Sequence, residues 1–340
     1  MVDFGTTPQE FHATLLEKTC YLHKAAHPER PFTWSDIDAL LNQIEPVEPF
    51  FRLFADGPVP AETYTREVME SGLRRRRLIP DRFTRLMTGG ATLVINRMEV
   101  FSVEARRLCA EVERFAGYQT TANGYITFGG QGTFGKHWDV HDVFAFQLIG
   151  AKQWKVYPPT FPYPLSNHTS AQLGQQFPLG TSPLPAGDVT ATAAPVPRLQ
   201  SPPTPTLDCH LETGDLLYIP RGWWHQVTPL DQPSFHLSVG LFVPTVFDYV
   251  MWVMSRALPQ NPSARKGLLS RESPLGTSPL PRLQSLNDLP AVIQSATAAA
   301  LDPAYVAEFL KMIADQRRPT TEIDASLFSN LAEKAKPADR

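Results

Sequence analysis

The chain reads in two periods. From residue 8 to about 118 it is mixed, with apolar positions falling mainly at helical spacing; from Thr120 they fall on alternate residues. In the first stretch FTWSDIDALL opens on a capping pattern. Thr33 stands three positions before Asp36, and Ile37, Leu40 and Leu41 follow at helical spacing. ATLVINRM (91–98) reads as a strand. SVEARRLCAEVERFAG (102–117) predicts an amphipathic helix with Val103, Leu108, Val112 and Phe115 on one face and Gly117 as its stop. The second stretch yields short strand-like runs, GYITF, KHWDVHDVFAFQL, KQWKVY, GDLLYIP, WWHQV and SFHLSVGLF, many set apart by glycine turns. Such a series predicts an all-β sandwich or barrel. Helical spacing returns at 245–257 and 289–316.

Residues 158–206 break the alternation. Twelve of them are proline, and Ser, Thr and Ala fill much of the rest, so a long surface insertion with little regular structure is expected. PLGTSPLP occurs at 178–185 and again at 274–281, and PRLQS at 197–201 and 281–285. These copies are too short for a structural repeat, and they suggest duplicated DNA in two tolerant loops.

Composition narrows the picture. A chain of 340 residues that is 42% hydrophobic supports a sizeable core. A formal charge of -3 gives no strong nucleic-acid signal. The run Arg74–Arg77 is the local exception, either a solvated face or a contact for an acidic partner such as ribosomal RNA. Three widely spaced cysteines, Cys20, Cys109 and Cys209, argue against a disulfide framework and a thiolate metal site. No basic segment followed by an apolar one opens the chain, and the most apolar run, Val243 to Met254, is interrupted by Asp248. A soluble cytoplasmic protein without a membrane partner is expected.

Chemistry concentrates in KHWDVHD. On a strand His137, Asp139 and His141 share one face, while Trp138, Val140 and Asp142 share the other. A histidine and an aspartate two apart can grip one ion, and a third ligand must come from elsewhere. Two imidazoles and a carboxylate on one side of an octahedral metal leave three positions open. HxD alone is a common chance pattern. His141 stands about four strand residues, roughly 13 Å, from His137, too far to share its ion on a regular strand. VFAFQLIGAKQWKVY reads as a hairpin turning at Gly150, with Lys152, Trp154 and Val156 on one face. GDLLYIPRGWWHQV reads as strand, Pro220-Arg221-Gly222 turn, and a second strand ending in His225, which taken alone is as well explained as a core residue.

NGYITFGGQGTFGKHWDVHDVFAFQLIGAKQWKVY and LETGDLLYIPRGWWHQVTPLDQPSFHLSVGL strongly resemble the cupin-type JmjC proteins of the ribosomal-oxygenase branch, which are 2-oxoglutarate-dependent protein hydroxylases. The resemblance covers about 80 to 245, apart from the proline-rich insertion. It implies a mainly β fold with flanking helices. A double-stranded β-helix, or jelly-roll, barrel would span 91–245, with a mainly helical extension at 1–90 and a helical region at 246–340. It implies Fe(II) on His137, Asp139 and His225, and a 2-oxoglutarate carboxylate on Lys152, where a buried carboxylate needs a cation. It places Asn123 and Tyr125 beside the cosubstrate or substrate, and Ser238 as a further hydrogen-bonding candidate. His236 shares the strand face of Ser238 and is expected to make a structural hydrogen bond. The implied reaction is hydroxylation of a protein side chain, ribosomal or similar, with release of succinate and CO2. The same iron chemistry on a small molecule or modified peptide, and a non-catalytic cupin binding module, are the alternatives. The family usually carries a dimerisation segment and a winged helix after the barrel. The residues after Pro244 suffice for helices that form a homodimer and look too short for a complete winged helix.

Overall fold

A computed structural model describes residues 1–27, 32–130, 132, 134–166, 201–266 and 288–315. The proline-rich stretch from 167 to 200, both PLGTSPLP copies and His168 lie outside the described residues. The chain forms two compact units, Met1–Phe242 and Val243–Arg340.

The first unit is built on antiparallel strands: β1 (Tyr21–His23), β2 (Phe51–Ala55), β3 (Gly57–Val59), β4 (Thr65–Glu70), β5 (Leu73–Leu78), β6 (Thr92–Ile95), β7 (Gln119–Thr127), β8 (Asp142–Ile149), β9 (Ala151–Tyr157), β10 (Leu207–Glu212), β11 (Leu216–Ile219), β12 (Trp224–Pro229) and β13 (Ser234–Phe242). Eight of them form one sheet in the order β1-β11-β8-β13-β7-β6-β2-β3, three form a second in the order β10-β9-β12, and β4 and β5 form a separate hairpin. The sheets meet through apolar side chains. Val143, Ala145, Leu217 and Ile219 of the large sheet pack with Trp154, Val156 and Leu211 of the small one. The other face of β8 carries Phe144 against Phe11, Phe115 and Tyr218. With both faces covered, β8 is buried almost throughout, which explains a run that is more continuously apolar than alternating.

Local signals act where they were read. Thr33 Oγ1 accepts from the Asp36 amide at 3.3 Å and Asp36 accepts from the Thr33 amide at 2.7 Å, capping the helix Trp34–Gln43. The helix Val103–Ala116 is capped by Ser102, buries Leu108, Val112 and Phe115, and ends at Gly117 with φ 82°, whereas Val103, expected on the same face, is exposed in its first turn.

Four expectations need correction. The 1–90 segment is mixed rather than a separate helical extension: beside its helices it holds β1 to β5, and β1, β2 and β3 are hydrogen-bonded into the large sheet. β1 and β2 are too short to bury a face alone and pair with β11 and β6, far along the chain, whereas β3 pairs with β2 and β4 with β5. The run around Gly150 is not a hairpin: β8 pairs with β11 and β13, whereas β9 pairs with β10 and β12. Gly150 is a corner between sheets, at φ 68°, where an added Cβ would lie 2.3 Å from the Pro233 carbonyl oxygen. Pro220-Arg221-Gly222 makes a second corner from β11 to β12, so His225 opens its strand rather than ending it. Finally, the strand expected from Lys136 begins at Asp142. His137 makes only an isolated bridge to His225, and residues 138–141 are irregular.

The Arg74–Arg77 run lies on β5, among glutamates. Arg75 pairs with Glu45 at 3.4 Å, Arg76 with Glu62 at 3.3 Å and Glu67 at 3.6 Å, and Arg77 with Glu70. This partial local neutralisation favours the solvated-face reading over an acidic partner.

In the second unit the helix Val246–Ala257 opens on a Thr245–Asp248 capping box. The pattern expected over 289–316 is two helices, Leu289–Leu301 and Pro303–Asp315, because Pro303 disfavours helical geometry at Asp302. No helix among the described residues is long and apolar enough to cross a membrane.

Beneath the outer face of β8, Asp142 is fully buried and accepts a hydrogen bond from the Tyr218 hydroxyl. Burial lifts its carboxyl to about 6, against the opposing Tyr218 bond. An unfolded aspartate titrates near ~3.9, so between that pH and about 6 the folded state binds more protons. The contribution to stability is fully present below the unfolded pKa and lost as pH rises through the folded one. Asp142→Asn keeps an acceptor for Tyr218 and removes the buried charge. It is expected to raise unfolding free energy near neutral pH by about 2–3 kcal/mol and to flatten the pH slope. Urea melts at about pH 4 and pH 7.5 check this; parallel slopes for variant and parent would refute it.

Candidate active site

The site forms where the two corners bring the sheets together. His137 and His225 exchange backbone hydrogen bonds of 3.0 and 2.7 Å, which bring their rings to 4.3 Å between centroids. The Gly222 amide donates to the Asp139 carbonyl at 2.9 Å, tying the HxD segment to the Pro220–Gly222 corner. One ligand atom from each of His137, Asp139 and His225 lies within 4.8 Å of the others. His225 Nε2 is 3.6 Å from an Asp139 carboxylate oxygen.

Tautomers follow from the partners. His137 Nδ1 is 2.8 Å from the Gly135 carbonyl and His225 Nδ1 is 3.2 Å from the Trp223 carbonyl. A carbonyl only accepts, so each Nδ1 carries a proton, and Nε2 is the ring nitrogen left to face a metal. Burial, and then His137, pushes the His225 imidazole down to about 4, which keeps it neutral. Burial alone would raise the Asp139 carboxyl, but His225, His141 and His137 together hold it below its ordinary value. Two imidazoles and one carboxylate suit a divalent first-row metal with open coordination positions.

His141 does not join this group. Its ring stacks on Phe242 with centroids 5.9 Å apart. The distance along a strand is not what separates it, since the segment is not a strand; its side chain simply packs elsewhere. His141→Ala is expected to keep divalent-metal affinity within about threefold, because every donor of the cluster remains. Titration with Mn(II) checks this, and a loss matching that of Asp139→Ala would move His141 into the ligand set. His23 and His210 lie on β1 and β10 rather than in loops or helices, and with His12 and His27 they stay outside the cluster.

The pocket over the cluster encloses about 570 Å³ with its open mouth. Lys152, Tyr125, His236 and Ser238 line it together with the three clustered residues. Asn123 is not among the lining residues: it bonds the Tyr125 side chain and accepts from the Arg97 amide at 3.2 Å, which makes it a support for Tyr125. Lys152 is 1% exposed, yet no carboxylate among the described residues pairs with it. Its Nζ donates to the Tyr125 carbonyl at 3.1 Å and to His236 Nδ1 at 2.9 Å, and burial pushes the ammonium down to about 7. His236 therefore makes the expected structural hydrogen bond, and it also lines the pocket, stacked on Tyr125 at 4.7 Å between centroids. A buried ammonium without a counter-charge fits an anionic ligand group. Thr92, Thr127, Phe134 and Trp154 complete much of the wall. The two threonines are register partners on β6 and β7, and a residue alternation without known strand pairing could not bring them together.

A fold of antiparallel sheets with flanking helices, holding two histidines and an aspartate beside a buried lysine, is that of cupin-type metal proteins. Residues 96–249 match the profile of the JmjC domain family. The chain is 28% identical over 211 residues to the bifunctional lysine-specific demethylase and histidyl-hydroxylase NO66 of Drosophila persimilis, covering 58% of this chain and 27% of that protein. It is 27% identical over 239 residues to ribosomal oxygenase 1 of Gallus gallus, covering 69% and 35%. The chain thus spans about a quarter to a third of these relatives. Among solved structures it resembles the ribosomal oxygenase YcfD of Escherichia coli in complex with cobalt and 2-oxoglutarate, with a TM-score of 0.55 at 16% identity, covering 94% of this chain and 73% of that one.

Proposed function

We propose that the protein is an Fe(II)- and 2-oxoglutarate-dependent oxygenase that hydroxylates a protein side chain, with a ribosomal protein as the leading substrate class. The observation that carries the reading is the pairing of the His137–Asp139–His225 donor set with a buried Lys152 that no carboxylate among the described residues pairs with, in one pocket. In this reading the two sheets, linked by corners at Gly150 and Pro220–Gly222, are the halves of a jelly roll, and His137, Asp139 and His225 hold the iron. Lys152 holds the distal carboxylate of 2-oxoglutarate. Tyr125 and Ser238 flank it, and Asn123 supports Tyr125. When bound, iron and 2-oxoglutarate with O2 supply an oxidant that places one oxygen atom on an unactivated C–H bond and release succinate and CO2. This chain's own residues orient the reactants and keep water away: Trp154, Val143, Ile219 and Val227 give the pocket apolar walls. The names of NO66 and of the ribosomal oxygenases support a protein substrate. Val246, Phe247 and Met251 expose apolar surface on one helix, which supports a homodimer through the C-terminal helices; light scattering of the purified chain tests it.

The test is iron-loaded protein incubated with ribosomal proteins and cell extract, read by succinate formation and by a mass gain of one oxygen atom. Oxygenated peptides are expected. Succinate without a modified protein would direct the search to a small molecule, and no succinate under any condition would leave a binding module.

A further inference from the structure

The three clustered residues all depend on one corner of the chain. The Gly222 amide holds the Asp139 carbonyl, the strand that leaves the corner carries His225, and His225 exchanges backbone hydrogen bonds with His137. Residues 138–141 belong to no strand that could hold them. Trp138 and Trp224, packed with Tyr157, steady one side of this assembly. The other side is the Pro220-Arg221-Gly222 corner, and Arg221 is the side chain there that the proposed chemistry leaves unused.

Arg221 is not among the residues lining the pocket. It forms an ion pair with Glu17, in which the Arg221 side chain is 10% exposed and that of Glu17 27%. Glu17 lies just beyond the helical turn Phe11–Leu15, where Phe11 packs on Phe144 and Tyr218. The Glu17 amide donates to the Tyr218 hydroxyl at 2.9 Å, and that hydroxyl donates to Asp142. One residue thus grips both segments that run into the site. Its carboxylate takes the corner four positions before His225, and its amide reaches, through Tyr218, the residue three positions after Asp139.

Glu17 does this at φ 58°, a left-handed conformation that costs any residue with a Cβ. Mostly buried ion pairs contribute little net stability, because desolvation offsets their attraction. Stability therefore does not account for the arrangement, whereas a need to hold one geometry does. The corner is confined from its other side as well: a Cβ added at Gly222 would lie 2.8 Å from the Phe161 carbonyl oxygen.

We propose that Arg221, held by Glu17, is a positioning residue: the pair fixes the corner from which His137, Asp139 and His225 are all aligned. The proposal rests on the reading of these three as a metal centre. Loss of the pair is expected to loosen the ligands without removing any of them, and only in part, since the Trp138–Trp224 contact remains.

The test titrates Mn(II) into the full chain and records the electron paramagnetic resonance spectrum of the bound ion. Parent, Glu17→Gly, Arg221→Gln, the double variant and Arg221→Lys are compared, each at least about 20 °C below its own thermal midpoint so that unfolding does not contribute. Glu17→Gly suits the left-handed backbone, so it removes the carboxylate and relieves the torsion together. Glu17→Gly and Arg221→Gln are each expected to weaken Mn(II) about tenfold and to broaden its spectrum. The double variant is expected to lose no more than about thirtyfold, because the two side chains act as a unit. Arg221→Lys, which keeps the charge, is expected to stay within about threefold of the parent. A loss below about threefold in either single variant, a fully additive double of about a hundredfold, or a lysine variant as weak as Arg221→Gln overturns the proposal. If Arg221→Gln does not fold, Glu17→Gly decides by the same threshold. Asp139→Ala identifies the cluster-bound ion. Mn(II) binding unchanged in Asp139→Ala would sink the metal reading itself, whereas a loss confined to Asp139→Ala would sink only the role of Arg221.

Discussion

Asp139→Ala and His225→Ala are each expected to abolish iron-dependent succinate formation while leaving the fold largely intact. Among the described residues the cluster has three donors, and removing one leaves two imidazoles, or one imidazole and a carboxylate, to hold a divalent ion. The aspartate contributes the only formal charge of the set, so its loss is expected to weaken the metal most. Neither side chain is part of the apolar contact between the sheets, which runs through Val143, Ala145, Trp154, Val156, Leu211 and Leu217. His225 is buried, and its alanine variant leaves a small cavity of order 1–3 kcal/mol, well short of unfolding a domain of ordinary stability. Metal content by elemental analysis and far-ultraviolet circular dichroism separate the two effects. An alanine variant that keeps its iron and its turnover would dismiss the ligand assignment.

Lys152→Ala is expected to weaken 2-oxoglutarate binding about a hundredfold or more, because the distal carboxylate would stay buried without its cation, at a penalty of roughly 3–5 kcal/mol. Metal affinity is expected to persist. The environment adds a pH signature. With the free ammonium pushed down to about 7, a growing share of the protein must take up a proton to bind the carboxylate as pH rises. Affinity in the parent should then fall with pH above that value, by up to about tenfold per unit. Lys152→Arg retains its charge throughout this range, so it should lose the pH dependence even where the altered reach costs affinity. Dissociation constants measured anaerobically with Mn(II) in place of iron, from about pH 6.5 to 8.5, provide the check. If the alanine variant binds within about twofold of the parent, the carboxylate is anchored elsewhere.

Much of the site was legible in the residues. HxD, the lysine fifteen positions after His137 and the Pro-Arg-Gly-Trp-Trp-His run marked the pieces, because the chemistry demands particular side chains whatever surrounds them. Their spatial relations were less legible. A period of two says that His137 and Asp139 share a face on a strand, but that segment is not a strand, and the two side chains meet His225 because its backbone bonds to His137. Lys152 was expected in the pocket through resemblance. Its neighbours, the Tyr125 carbonyl and His236, lie 27 and 84 positions away, and no local pattern announces them.

By itself the sequence determined what is settled within a turn or two of chain. The Thr33–Asp36 and Thr245–Asp248 caps, the helix stop at Gly117 and the two-helix break at Pro303 each depend on hydrogen bonds or torsions among near neighbours. Only the tertiary structure decided which strands pair. Gly150 looks like a hairpin turn until β8 and β9 find partners in different sheets, and β1, β2 and β3 look peripheral until they extend the large one. Alternation fixes the face a side chain occupies and leaves its neighbours across the sheet unspecified. Those neighbours are chosen by burial and backbone pairing between distant segments, and that choice set Tyr125 opposite His236 and enclosed Lys152 beside the His137–Asp139–His225 cluster.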